Sequence, residues 1–204
     1  MQIIKVQQKT PEWFALRLQY PLTASEAQAI GNQGKGLETL IWEKLAEKYS
    51  TADKEKYTNK DLERGVELEP LARDMYELQT GNNVEEIGFV INKDISNVGG
   101  ASPDGGIINQ NGGVEIKCFE DKKHFQNIVN GLEIESQYLW QTQMQMLFTG
   151  WEFIDFVAYN PNFKQNLLIK RVLADKEMQE KIIKGLEIGE KLLKEIEEKY
   201  NVYK

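Results

Sequence analysis

Three acidic residues and one lysine are spaced as hydrolysis of a phosphodiester requires: Glu69 in the segment Arg64–Arg73 (RGVELEPLAR), Asp104 in Ser102–Gly105 (SPDG), and Glu115 with Lys117 in Val114–Cys118 (VEIKC). Negative charge grows on the leaving oxygen as a phosphodiester breaks, so a catalyst must set cations against the phosphate and activate a water beside it. Carboxylates hold such cations, and a lysine at the same place orients or deprotonates the water.

Taken singly, each piece has an ordinary reading. Acidic residues near turns are usually solvated, an E-x-K on a strand is a common surface pair, and a glutamate near Pro70 reads as a charged residue opening a helix. The combination is more specific. Pro103 fixes the backbone before Asp104, and Gly105 and Gly106 permit close approach.

Local pattern indicates how these groups are positioned. Apolar and polar residues alternate over Val114–Cys118, which predicts a strand with Glu115 and Lys117 on one face and Val114, Ile116 and Cys118 on the other. The turn-rich run Asn109–Gly113 would return the chain antiparallel and bring Asp104 beside Glu115, closing a D-x10-E-x-K hairpin. Glu69 lies on a segment where Leu68, Leu71, Ala72, Met75 and Leu78 recur at helical spacing and mark a buried face, with Pro70 expected in the first turn.

With these motifs in place the chain resembles the YqaJ-type viral recombinase family, related to lambda exonuclease, within the PD-(D/E)xK nuclease superfamily. The resemblance runs in order from Pro11–Arg17 (PEWFALR) and Leu22–Glu26 (LTASE), through the three segments above, to Tyr138–Gln145 (YLWQTQMQ). It implies an α/β, restriction-endonuclease-like core, with a mixed β-sheet flanked by helices. Asp104, Glu115, the carbonyl of Ile116 and Glu69 match the ligands of two magnesium ions, for which manganese is a possible substitute. Lys117 matches the lysine that acts on the attacking water, and Gln141 a helix glutamine that positions water or lysine, with Gln143 and Gln145 left open as alternatives. Arg17 and Ser25, with Trp13, match a site for the terminal 5'-phosphate of DNA.

The implied activity is 5'-to-3' digestion of one strand of linear duplex DNA, leaving a 3' tail for recombination by a single-strand annealing protein. A homotrimer encircling DNA is implied as well. Two alternatives remain: an endonuclease of restriction or repair type, without the phosphate pocket, and a non-catalytic DNA-binding scaffold.

Composition is compatible with these expectations. The 204 residues, 41% hydrophobic and 28% charged, suffice for one nuclease domain over residues 1–204. Cys118 is the single cysteine, which excludes an intrachain disulfide and cysteine-held iron–sulfur or zinc sites within one chain. It reads as core, and His124 as surface. No stretch is apolar enough to cross a membrane, so a cytoplasmic protein of a bacterial host, phage or prophage encoded, is expected. The net charge of −7 is unusual for a DNA binder, so the basic residues must be gathered where DNA enters. Arg17, Lys35, Lys117, Lys122 and Lys123 are candidates.

The remaining pattern predicts a short N-terminal strand or arm, helices over 11–17, 24–30, 37–49 and 136–148, with Gly31–Gly36 as a flexible connection and 50–59 as a polar loop near the site. Strands are expected over 84–92, 151–159 and 167–172. A final helix from Asp175 to Tyr200 carries an apolar stripe of Met178, Ile182, Leu186, Leu193, Ile196 and Tyr200, and Glu187 and Lys191 are spaced to pair.

Overall fold

The computed structural model describes residues 1–51 and 60–202, with side chains described from 64 onward in the second stretch. Most of the expected polar loop, 52–59, lies outside the described residues.

Helix α1 (Pro11–Gln19) starts where its sequence says it should. Thr10 caps it by accepting from the Trp13 amide, and Pro11 fills a first-turn position that needs no donor. A single 3-10 turn (Ala24–Glu26) leads into α2 (Ala27–Asn32). The expected flexible connection at 31–36 contracts to a sharp corner, because Gln33 and Gly34 both adopt left-handed backbone and α3 begins at once, over Gly34–Tyr49.

Helix α4 (Lys60–Thr80) is longer than expected, and Pro70 falls inside it rather than in its first turn. The proline is exposed, so the lost backbone bond faces water. Leu71 and Leu78, expected in the buried face, are 48% and 79% exposed, whereas Tyr76 is fully buried. The inward face is Leu68, Ala72, Met75 and Tyr76.

The central sheet has the order β3 (Val84–Glu85), β6 (Gly105–Ile107), β7 (Gly112–Cys118), β8 (Phe153–Tyr159), β9 (Leu167–Leu173). β6 and β7 form the expected antiparallel hairpin, with Gly105 opposite Val114. β7 and β8 run parallel, joined through α5 (Asp121–Asn130) and α6 (Ser136–Thr149). Sequence pattern did not disclose α5. α4 packs over the Val114, Ile116, Val157 face, and α6 covers the opposite face at Ile154 and Phe156. With both faces covered, β8 is buried at every position, which explains why its expected alternation is not realised as alternating exposure.

The expected strand over 84–92 is split by Gly88. Its first part is β3; its second, β4 (Phe89–Ile91), pairs with β1 (Gln2–Ile4). A Cβ at Gly88 would lie 2.4 Å from the Ile4 carbonyl oxygen, so the neighbouring strap can approach only at a glycine. A further small pair joins β2 (Leu22–Thr23) to β5 (Gly99–Gly100).

The last helix, α7 (Lys176–Val202), covers α2 and α3 through Ile182, Leu186 and Leu193. Gly185 lets its backbone meet that of α2: a Cβ there would fall 1.9 Å from the Ile30 carbonyl oxygen. Tyr200, expected in the stripe, is 40% exposed and leans its ring on Tyr49. Among the described residues Lys191 pairs with Glu195 rather than with Glu187.

Candidate active site

One cleft of about 820 Å³ gathers residues distant in sequence, among them Glu69, Asp104, Glu115, Ile116, Lys117 and Gln141. Trp13, Arg17 and Ser25 line the same space.

Strand β7 supplies the centre. Glu115 is 1% exposed yet carries a full set of partners: Lys117 Nζ at 2.5 Å and Gln141 Nε2 at 2.6 Å on Oε1, and Gln145 Nε2 at 2.6 Å on Oε2. Charge-assisted bonds of this kind are what make a buried carboxylate tolerable. The choice among three glutamines is thereby resolved in position. Gln141 and Gln145 lie four apart on one face of α6 and both reach Glu115, whereas Gln143 donates to the Leu173 carbonyl and accepts from the Asp175 amide.

Asp104 Oδ2 accepts from the Ile116 amide at 2.6 Å, across the hairpin as the D-x10-E-x-K spacing requires. In a strand the N–H and C=O of one residue leave by the same edge, so the Ile116 carbonyl also projects toward the Asp104 side. Burial, then the charges of Glu115 and Glu69, push the Asp104 carboxyl well above the usual range.

Glu69 faces elsewhere. Its Oε2 accepts from Lys9 Nζ at 2.7 Å, and Arg73, one turn along α4, stands 3.7 Å from Oε1. Consequently, among the described residues no three acidic, histidine or cysteine side chains close tightly enough to enclose a metal ion. The expectation of three acids converging on one small volume is met only as a shared cleft. The reason is visible: every oxygen of Glu115 and Glu69 is turned toward a nitrogen donor.

The donor chemistry nonetheless fits a hard divalent cation. Asp104, Glu115 and the Ile116 carbonyl offer oxygen only, the donor type such a cation prefers. Burial alone would lower the Lys117 pKa, but Glu115 and Asp104 outweigh it and raise it. These two carboxylates favour the charged form of Lys117. Its ammonium also lies over the Tyr138 ring, 5.0 Å from the centroid.

The second half of the cleft is built on α1. Arg17 Nη2 donates to Ser25 Oγ at 2.8 Å, and its guanidinium lies over Trp13, 4.8 Å from the ring centroid. Trp13 Nε1 in turn donates to Ser102 Oγ at 2.9 Å, which ties α1 to the loop carrying Asp104. Glu26, unmarked by the sequence reading, pairs with both Arg17 and Lys44. It also accepts from the amide and hydroxyl of Thr23, the residue that caps this turn.

Other expectations are corrected. His124 is fully buried, with Nε2 2.9 Å from the Gln165 carbonyl, rather than on the surface. Cys118 is only partly buried, and burial followed by Glu69 and Asp104 pushes its thiol up to about 12, a poor nucleophile. Lys35 and Lys122 are exposed and do not line the cleft; Lys123 does, and so does Lys9, which no motif singled out.

Residues 12–152, well over half of the chain, match the family model of the YqaJ-like viral recombinase domain. The chain belongs to the YqaJ-like viral recombinase family. The range covers the segments on which the resemblance rested, apart from Pro11 at its edge. No curated protein sequence matches the chain. Among solved structures, the alkaline exonuclease LHK-Exo from Laribacter hongkongensis is 29% identical, covers 96% of this chain and 100% of its own, and superposes with a TM-score of 0.76. The same exonuclease in complex with dAMP matches equally well. A phage-related exonuclease from Haemophilus somnus 129PT, 15% identical over 88% of this chain and 96% of its own, shares the fold with a TM-score of 0.66. This YqaJ-family chain thus has the mixed α/β fold of the PD-(D/E)xK type. No helix among the described residues is long and apolar enough to cross a membrane.

Proposed function

We propose that this chain is a divalent-metal-dependent deoxyribonuclease that digests one strand of linear duplex DNA from its 5' ends, leaving a 3' single-stranded tail for recombination. The observation that carries the reading is the single cleft holding both an acid–lysine set suited to phosphodiester hydrolysis and, at Arg17, Ser25 and Trp13, a fork suited to a terminal phosphate. The likeness to an alkaline exonuclease over nearly the whole chain supports it.

Asp104, Glu115 and the Ile116 carbonyl would hold the metal, with Glu69 as a further carboxylate. Bound there, magnesium, in two copies, or manganese in its place, supplies Lewis-acid stabilisation of charge and a more acidic water. The chain's own groups do the rest. Gln141 and Gln145 fix both oxygens of Glu115, Lys117 sets an ammonium beside the attacked phosphate, and the guanidinium of Arg17, braced by Ser25 and Trp13, meets the phosphate that marks a DNA end. The single nuclease domain over 1–204 acts in the cytoplasm of a bacterial host, as a phage or prophage product. Its partners are a single-strand annealing protein and, in a homotrimer, two further copies.

Linear and covalently closed circular duplexes incubated with magnesium test the reading. Loss of linear DNA to mononucleotides, with circles intact, is expected. Cutting of circles would favour an endonuclease, and no cleavage of either would favour a scaffold.

A further inference from the structure

The described cations lining the cleft are Lys9, Arg17, Lys117 and Lys123, and each is paired with a glutamate: Glu69, Glu26, Glu115 and Glu135 respectively. Asp104 and Glu120 line the cleft as well, so it offers no net attraction to a polyanion, and the chain as a whole carries −7. Some of these pairs must exchange partners when DNA enters. Lys9 is the one whose construction indicates such a role.

Lys9 sits on a strap fastened on both sides. Gln8 Nε2 donates to the carbonyls of Ile87 at 2.8 Å and Pro103 at 2.9 Å, and Thr10 Oγ1 donates to the Gln7 carbonyl at 2.8 Å before capping α1. Between them Lys9 is forced to φ 65°, a left-handed conformation that a non-glycine residue adopts at an energetic cost. What the strain achieves is a side chain directed into the cleft, onto Glu69 Oε2. The pair is part-buried, at 31% and 19% exposure, and the modest stability such a pair contributes is set against the cost of a left-handed backbone at Lys9. Arg73, the other cation near Glu69, also has Glu86 as a partner. Among the described contacts, Lys9 has Glu69 alone.

We propose that Lys9 is a DNA-phosphate-binding residue held on Glu69 until a divalent cation takes that carboxylate, whereupon its ammonium passes to a backbone phosphate of the strand in the cleft. The inference rests on the nuclease reading above and deepens it: cation loading offsets the acidic surplus of the cleft, and Lys9 is the group that is released. No bond is made or broken; one ionic contact replaces another.

The test compares wild type, Lys9→Met and Lys9→Arg binding a short 5'-phosphorylated duplex over a range of salt, with calcium and with EDTA, with intact duplex recovered afterward. Calorimetry of calcium binding without DNA is the second measurement. In calcium, Lys9→Met is expected to lower the slope of log affinity against log salt by about one, the signature of one lost phosphate contact, while Lys9→Arg keeps it. In EDTA the wild-type and Lys9→Met slopes coincide, and Lys9→Met binds calcium at least as tightly as wild type. An unchanged slope in calcium, or an equal loss in EDTA, overturns the proposal. Weaker calcium binding by Lys9→Met overturns it too, since Lys9 would then only support Glu69. These failures leave the nuclease reading standing if wild type still degrades linear DNA; absence of both binding and degradation in wild type sinks both.

Discussion

Lys117 Nζ lies 2.5 Å from Glu115 Oε1, two residues apart on one face of β7, and the glutamate is buried while the lysine reaches the cleft. The carboxylate's other bonds come from Gln141 and Gln145, so it remains paired if the lysine is removed. Lys117→Ala should therefore fold and bind DNA, yet lose about 10²- to 10⁴-fold in cleavage rate, the usual weight of a positioned proton-transfer group. Single-turnover cleavage beside equilibrium binding checks this; normal turnover would remove Lys117 from the chemistry.

Gln145 is fully buried and is the described partner of Glu115 Oε2. Gln145→Leu should leave that oxygen unpaired and destabilise the fold by roughly 1–3 kcal/mol. Gln141→Ala should cost less stability, because Gln141 borders the cleft where water can replace its bond. Denaturant titration of both variants gives the comparison, and equal losses would contradict the assigned burial.

Arg17→Ala should reduce the preference for 5'-phosphorylated over 5'-hydroxyl ends. Its guanidinium, braced by Trp13 and Ser25, is the planar donor fork in that half of the cleft. Initial rates on the two substrates supply the measurement; identical ratios in wild type and variant would dismiss an end-sensing role.

Glu26 gives a pH dependence with a definite sign. Burial alone would raise its pKa, but Lys44 and Arg17, with bonds from Lys44 and Thr23, outweigh that and lower it. A carboxylate depressed in the folded state adds stability that is fully present above the unfolded value, about 4.3, and is lost as pH falls through the folded value. Glu26→Gln should therefore be less stable than wild type at pH 7, and the gap should narrow as pH falls below the unfolded value. Thermal melts across that range decide it; a gap that widened in acid would reverse the sign.

The sequence was informative where one short stretch of chain settles geometry. Alternation over 114–118 sets Glu115 and Lys117 on the same face, and the turn at 109–113 sets the hairpin that brings Asp104 to the Ile116 amide. Helix α1 was equally readable, since a cap and a first-turn proline act locally. Pro70 misled because an exposed proline is tolerated within a helix whose other side is packed. His124 misled because the carbonyl its ring meets, that of Gln165, lies 41 residues away in sequence. The spacing of α6 admitted Gln141, Gln143 and Gln145 alike, and only the packing of that helix on β7 turns the first and last toward Glu115.

Residue order by itself determined which acids, lysine and arginine are available, the hairpin that joins Asp104 to Glu115, and the family to which the motifs belong. Tertiary structure decided the pairings: Glu69 with Lys9 from a strap 60 residues away, Glu115 with two glutamines of α6, and Arg17 with Glu26. Backbone periodicity is set by neighbours a few residues apart, so it can be read along the chain. The partner of a charge is set by whichever distant elements share its low-dielectric surroundings, and those are fixed only when the helices and sheet pack.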